Sequence, residues 1–229
     1  MPPDLLLLLL FFLQACPAQG GPPTACRVTT LAGARGADES VDGDAYGQGS
    51  FGYPAGLALD AARQAVLVAD AGIGTSSVRP TNGNRVRRLA LGSGALRTAA
   101  GSGSRTPFAD GPAAAATMVR PTSVAVDAAG NVYIADSGNH RIRFLNASSG
   151  EVSTLAGTEN RSAVDGPLGV GTLRDPVGVC YNPDRGSVEV LEYTFSTVRS
   201  VSLAGSDAWP LVTGMRRPSS PWWALRHAA

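Results

Sequence analysis

The chain has 229 residues and a formal net charge of +1, and all 19 of its basic residues are arginine. A chain of this length forms one sizeable domain or two small ones. Because the charges nearly balance and the arginines are scattered, the composition gives no electrostatic case for binding nucleic acid or an acidic membrane surface.

The N-terminus carries nine consecutive apolar residues, Leu5–Leu13, followed by small residues. This length is typical of a signal-peptide core and is too short to span a bilayer. Residues 1–20 are therefore predicted to be a signal peptide, and the protein is expected to be secreted or extracellular. The sequence LQAC at 13–16 also resembles a bacterial lipobox, so a lipid-anchored, membrane-associated protein is the lesser alternative.

Three segments of the chain repeat one pattern. Each has a proline, an alternating apolar strand, a tight turn and a second apolar strand that ends in an acid. The segments are PAGLALDAARQAVLVAD (54–70), PTSVAVDAAGNVYIAD (121–136) and PVGVCYNPDRGSVEVLE (176–192). An Asp-Gly pair precedes each segment, and further short strands follow it. No apolar period of 3.6 residues is sustained, so the chain is predicted to be all-β.

Four short strands in each repeated unit predict β-propeller-type blades of four antiparallel strands. The blades are predicted at about 54–101, 121–157 and 176–214, within a repeat region 28–214 that begins with an extra strand at 28–32. Residues 215–229 form a divergent tail. Three blades make an incomplete ring with an open apolar face at each end. A truncated gene product, self-association through the open faces and an open arc are three competing explanations.

The sequence RPTSVAVDAAGNVYIADSGNHRIRFLN, residues 120–146, resembles the NHL-repeat β-propeller family. The resemblance implies a non-catalytic scaffold that binds a protein or a small ligand through loops at one rim. The longest candidate loop is 71–84, and recognition sites commonly occupy loops on a rigid frame. With a signal peptide, the partner would be in the secretory or extracellular space.

Polar residues recur at fixed places in the units, whereas a catalytic group is placed once. They end the first strand, end the second strand or open the third. The predicted structural residues are Asp60 and Asp127, Asp70 and Asp136, and Arg85 and Arg141. We expect the acids to accept hydrogen bonds from turn N–H groups, and we expect Asp136–Arg141 and Asp70–Arg85 ion pairs.

The alternative function is a propeller-type hydrolase or lyase with calcium or zinc in the central channel. Its candidate oxygen ligands would be Asp60, Asp127 and Asn182, at the ends of the innermost strands. No nucleophile or general base stands beside them, and His140 has no companion for a metal site. The sequence therefore predicts no catalytic residue, no cofactor and no metal ligand.

Two sequons, at Asn146 and Asn160, lie in predicted loops or strand ends and are candidate glycosylation sites. Two cysteines, Cys26 and Cys180, remain after removal of a signal peptide. They lie far apart in the chain and form no C-x-x-C motif, so the sequence leaves their pairing open.

Overall fold

The computed structural model describes residues 27–33, 39–44, 48–72, 83–104, 108–167, 169–203 and 212–214. The chain divides into two units, residues 1–30 and 31–229, and every strand described lies in the second. The predicted signal peptide, Cys26 and the tail 215–229 fall outside the described residues, as do residues 73–82 of the predicted rim loop. Within the described part, no helix has the length and apolar character needed to cross a bilayer.

The first blade is a five-stranded antiparallel sheet with the strand order β1-β5-β4-β3-β2. Alternating apolar residues favour strands, and the tight turns between them join neighbours in sequence into hairpins. The strands are β1 (Gly43–Asp44), β2 (Pro54–Asp60), β3 (Ala65–Asp70), β4 (Arg85–Ala90) and β5 (Ala95–Ala100).

The second blade repeats this topology in the order β6-β10-β9-β8-β7. Its strands are β6 (Gly111–Pro112), β7 (Pro121–Val126), β8 (Val132–Asp136), β9 (Arg141–Leu145) and β10 (Glu151–Ala156), with a short 3-10 turn at Ser137–Asn139. The third blade has four strands, β11 (Pro176–Asn182), β12 (Ser187–Glu192), β13 (Thr197–Ser202) and β14 (Val212–Gly214), hydrogen-bonded in that order.

The prediction of an all-β chain with three successive antiparallel blades is confirmed. The predicted extra strand is placed differently, because residues 28–32 form no strand. The extra outer strands are β1 and β6, two residues each, and they come from the Asp-Gly segments. Ala32 packs beside Leu89 and Leu96 instead of joining the sheet.

The hydrophobic core lies between the blades. Since side chains alternate across a strand, each blade has two apolar faces. We call the face toward the preceding blade the leading face, and the opposite one the trailing face. Leu67, Ala69 and Val86 on the trailing face of the first blade pack against Val124 and Ile134 on the leading face of the second.

The second and third blades meet in the same way. Ala135 and Ile142 on the trailing face of the second blade pack with Val188 and Val190 of the third. The innermost strands β2, β7 and β11 are neighbours in succession. The three blades therefore stack side by side as part of a propeller.

Candidate functional site

Each blade has an arginine at the third residue of the strand that follows the acid-ending strand, namely β4, β9 and β13. These residues are Arg87, Arg143 and Arg199. The side chain is buried in all three. In the second blade, Arg143 Nη1 lies 2.9 Å from Asp136 Oδ2, and Arg143 Nη2 lies 2.6 Å from Asp110 Oδ1. The guanidinium thus joins the acid that ends β8 to the aspartate of the Asp-Gly segment.

The same guanidinium also fixes the linker that leads into its blade. Arg143 donates to the carbonyl oxygens of Thr117 and Ala109, at 2.8 Å each. Burial raises the pKa of the Asp136 carboxyl, whereas hydrogen bonds from Asn139 and the Val119 N–H, together with Arg143, act to lower it. Donors of its own blade therefore offset part of the cost of burying this carboxylate.

The other two blades contain equivalent clusters. Arg199 lies 3.0 Å from Glu192 and 2.6 Å from Asp165. Arg87 lies 2.8 Å from Asp42 and 3.7 Å from Asp70. In each blade a buried guanidinium pairs with one buried acid and one exposed aspartate, and these contacts hold strands and linker together. This is a structural arrangement.

The ion pair predicted between Asp136 and Arg141 is corrected by this geometry, because Arg143 is the partner of Asp136. Arg141 instead lies over the ring of Phe108, 3.6 Å from its centroid, and donates to the Asn139 carbonyl oxygen. Its nearest ion-pair partner is Glu159, at 4.0 Å. Arg141 is opposite Asp136 in the ladder, but the carboxylate of Asp136 pairs with Arg143, two positions later on the same face.

In the first blade, too, the arginine that faces the acid stands two positions after the predicted one. The carboxylate of Asp70 faces Arg87, whereas Arg85 donates to the carbonyl oxygen of Ser102. A signal in the sequence could have shown this. The strands β4, β9 and β13 begin RVR, RIR and TVR. Only the arginine at the third position occurs in all three units, because Thr197 replaces the arginine at the first position.

The acids that end the innermost strands are used within their own turns. Asp127 accepts hydrogen bonds from the backbone and side chain of Asn131 and from the Tyr133 hydroxyl. Asp60 accepts from the Arg63 N–H and pairs with the Arg63 guanidinium at 3.4 Å. These contacts stabilise the hairpin turns.

The third innermost strand ends in Asn182, whose Oδ1 accepts from the N–H groups of Asp184 and Arg185. The three oxygen donors of the hypothetical calcium site are therefore each engaged in a separate turn. Among the residues that the structure describes, no three histidine, cysteine, aspartate or glutamate side chains gather as a metal site.

Each of the first two blades is joined to the following blade by a residue with a left-handed backbone conformation. This residue stands just before β4 in the first blade and just before β9 in the second. Asn84, with φ +60°, accepts the N–H of Arg120 of the second blade at 2.8 Å. His140, with φ +56°, accepts the N–H of Asp175 of the third blade through Nδ1 at 3.1 Å. Burial lowers the pKa of His140, with Asp175 opposing and nearby arginines adding to the shift. Because Nδ1 accepts a hydrogen bond in this contact, a neutral imidazole there carries its proton on Nε2.

A polar and aromatic surface surrounds Asp175 where these loops meet. Asp175 Oδ1 lies 3.5 Å from His140 Nδ1 and 3.9 Å from Arg120 Nη2, and Asp175 Oδ2 accepts from the Thr194 hydroxyl at 2.5 Å. The Arg174 guanidinium lies 5.4 Å from the centre of the Phe195 ring. We call this surface the Asp175 corner. Its members are Arg120, His140, Arg161, Arg174, Asp175, Tyr193, Thr194 and Phe195.

The Asp175 corner combines positive charge with exposed aromatic rings. Arg120, Arg161 and Arg174 act electrostatically on neutral His140, and Asp175 is the acid among them. Tyr193 is 77% exposed, and Phe195 is also exposed. Arginine and tyrosine are the residue types enriched where proteins bind partners.

The two sequons differ in accessibility. Asn146 is half-buried, and its Oδ1 accepts from the N–H groups of Ser148 and Ser149. Asn160 lies exposed in a bend after β10. Cys180 is a free, exposed thiol on the trailing face of the third blade.

One known repeat family matches a segment of the chain. The NHL repeat matches residues 118–143, which run from the linker before β7 to the middle of β9. The protein SUPPRESSOR OF QUENCHING 1, chloroplastic, of Arabidopsis thaliana is 26% identical over 202 residues, which cover 85% of this chain and 18% of that protein. The chain thus spans about a fifth of the length of this curated relative.

Solved structures resemble the fold at low sequence identity. A structural genomics protein of unknown function from Bacteroides thetaiotaomicron superposes with a TM-score of 0.51 and 21% identity, covering 64% of this chain and 46% of that one. An auxiliary nutrient binding protein from the same organism gives a TM-score of 0.49 and 17% identity, covering 64% and 36%. The first of these supports the fold alone.

Proposed function

Because the chain contains an NHL repeat within three propeller-type blades, we propose that it is a non-catalytic binding scaffold that holds an extracellular or lumenal protein. The Asp175 corner is the observation that carries this proposal. It presents cationic and aromatic side chains on loops that are fixed by the blades beneath them, and this is the usual arrangement of a recognition surface.

The chemistry of the corner favours a partner that presents acidic side chains. Around the His140 imidazole, Arg120, Arg161 and Arg174 act as positive charges and Asp175 acts as the opposing negative charge. The planar guanidinium of Arg120 can donate two hydrogen bonds to a carboxylate. The exposed ring of Tyr193 offers apolar area beside it. An acidic peptide with a neighbouring apolar residue fits this combination.

The binding test uses the purified chain and an array of synthetic peptides that differ in their number of acidic and aromatic residues. Arg120→Gln and Arg174→Gln remove positive charge from the corner, whereas Arg97→Gln removes an exposed arginine from β5 of the first blade. We expect acidic peptides to bind in preference to neutral ones, and the corner variants to bind them about tenfold more weakly. Equal loss with Arg97→Gln, or no preference for acidic peptides, would refute the proposal.

The secretory location is a separate part of the proposal. It is supported by the apolar run Leu5–Leu13 and by the exposed position of Asn160. When the full chain is expressed in a glycosylating cell, we expect it in the medium with a glycan at Asn160. Asn160→Gln should abolish the mass shift that glycosidase treatment produces. Protein that stays in the cytosol without a glycan would contradict this location.

A further inference from the structure

Equivalent apolar positions differ sharply in exposure between the first and second blades. Val124 on the leading face of the second blade is 3% exposed, because the first blade covers it, whereas Leu57 at the same position of the first blade is 73% exposed. The next leading-face position has exposed Leu59 in the first blade and half-buried Val126 in the second. Among the described residues, no blade covers Leu57 and Leu59, so this part of the leading face has the composition of an interblade surface and yet is exposed.

The trailing face of the third blade shows the complementary difference. Val86 and Ile142 on the trailing faces of the first two blades are 0% exposed, whereas Val198 at their position is 54% exposed. Leu191 is also exposed, although Ala69 and Ala135 at its position are completely buried.

The third blade also has an arginine at the position from which the first blade donates a hydrogen bond to the second. Arg63 in the turn after β2 donates from Nη2 to the Ala129 carbonyl oxygen of the second blade, at 2.9 Å. Arg185 occupies the same place in the third blade. Its turn has the same length and the same hydrogen bond from its N–H to the residue that ends the strand. Arg185 is exposed.

The third blade also has a residue at the position that accepts a hydrogen bond from the following blade. Ser196 stands just before β13, with φ +52°, where the earlier blades have Asn84 and His140. Its hydroxyl oxygen can accept the N–H of a following blade, as the side chains of Asn84 and His140 do. The apolar face and both polar positions thus match one kind of neighbour, a blade of this same type.

We propose that two copies of this chain close into one ring of six blades. The trailing face of the third blade in each copy packs on the leading face of the first blade in the other copy. This joint is formed by two different surfaces and occurs twice about a two-fold axis. The ring therefore closes without leaving a free face. Six blades fall within the range of four to eight that closed propellers contain.

One residue weakens this joint. Glu189 stands on the trailing face of the third blade where the earlier blades have buried Leu67 and Tyr133. Tyr133 stacks on Tyr181 of the third blade, with ring centroids 5.6 Å apart. In the proposed joint, Glu189 faces Leu59 of the other copy and loses hydration of its carboxylate. Glu189→Leu should therefore tighten association about tenfold for each joint, the gain expected from burying a leucine, and about a hundredfold for a ring that contains two joints.

Sedimentation velocity of the full chain over a wide concentration series tests the proposal. We expect a reversible dimer of the wild-type chain. Leu57→Asp on the leading face and Val198→Asp on the trailing face should each weaken the dimer about a hundredfold or more, since each places a charge in an apolar joint. Val170→Asp, which changes an exposed valine of the linker before the third blade, should leave the dimer intact.

Mixing the two monomeric variants separates this joint from any other dimer. The mixture contains one intact leading face and one intact trailing face, so a heterodimer with a single joint should form. Recovery of this heterodimer also shows that both variants fold. A wild-type chain that stays monomeric, a dimer that survives both substitutions, or a mixture of well-folded variants that stays monomeric would overturn the proposal. Polymers that grow with concentration would overturn ring closure.

Discussion

Removal of the Arg143 guanidinium should destabilise the second blade more than any other single arginine substitution in it. Arg143→Met keeps the length and apolar character of the side chain but leaves the buried carboxylate of Asp136 without its cation. Breaking a buried ion pair from one side costs about 3–5 kcal/mol. Arg141→Met removes the cation–π contact with Phe108, which corresponds to about 1–2 kcal/mol.

A double-mutant cycle distinguishes the two arginines as partners of Asp136. Asp136→Asn is combined with each arginine substitution, and the free energy of unfolding is measured from urea denaturation followed by circular dichroism. We expect a coupling free energy of about 1.5–3 kcal/mol with Arg143 and below about 0.5 kcal/mol with Arg141. A coupling with Arg141 equal to or larger than that with Arg143 would refute the assignment of the ion pair.

Two further predictions concern the joints between blades. His140 has a lowered pKa in the folded chain, so the unfolded chain binds its proton more readily and the free energy of unfolding should fall as the pH drops below about 6.5. His140→Asn keeps a hydrogen-bond acceptor, as Asn84 does. Urea titrations at several pH values should show that the free energy of unfolding of this variant depends less on pH. An unchanged dependence would exclude His140 as its source. Gly56→Ala should cost about 1–3 kcal/mol, because a Cβ there would lie 2.5 Å from a carbonyl oxygen of the second blade. Gly92→Ala, with nothing within 4 Å of its Cβ, is the matched control and should change the thermal midpoint little.

The strands and their grouping into blades could be predicted because their signals are local. Alternating apolar residues mark each strand, and prolines such as Pro121 and acids such as Asp136 mark the ends of the hairpins. The turn acids Asp60 and Asp127 accept hydrogen bonds within a few residues of themselves in the chain. A repeat makes such signals stronger, since the same pattern can be compared between units.

The polar clusters could not be predicted to the same extent because their members lie far apart in the chain. Arg143 pairs with Asp136 in the same hairpin but also with Asp110 in the preceding linker. A strand pattern predicts which face a side chain occupies, but not which of two arginines on that face reaches the buried acid. The strands β1 and β6 are two residues long and have no alternation to detect.

The pairing of β6 with β10 has a consequence for biosynthesis. Gly111 and Pro112 leave the ribosome before the rest of the second blade, yet their partners are Val152 and Glu151 near its end. The early segment has to wait, unpaired, until nearly the whole unit has been translated. A premature stop inside this stretch would release a polypeptide with exposed sheet edges, a natural target for chaperones and degradation.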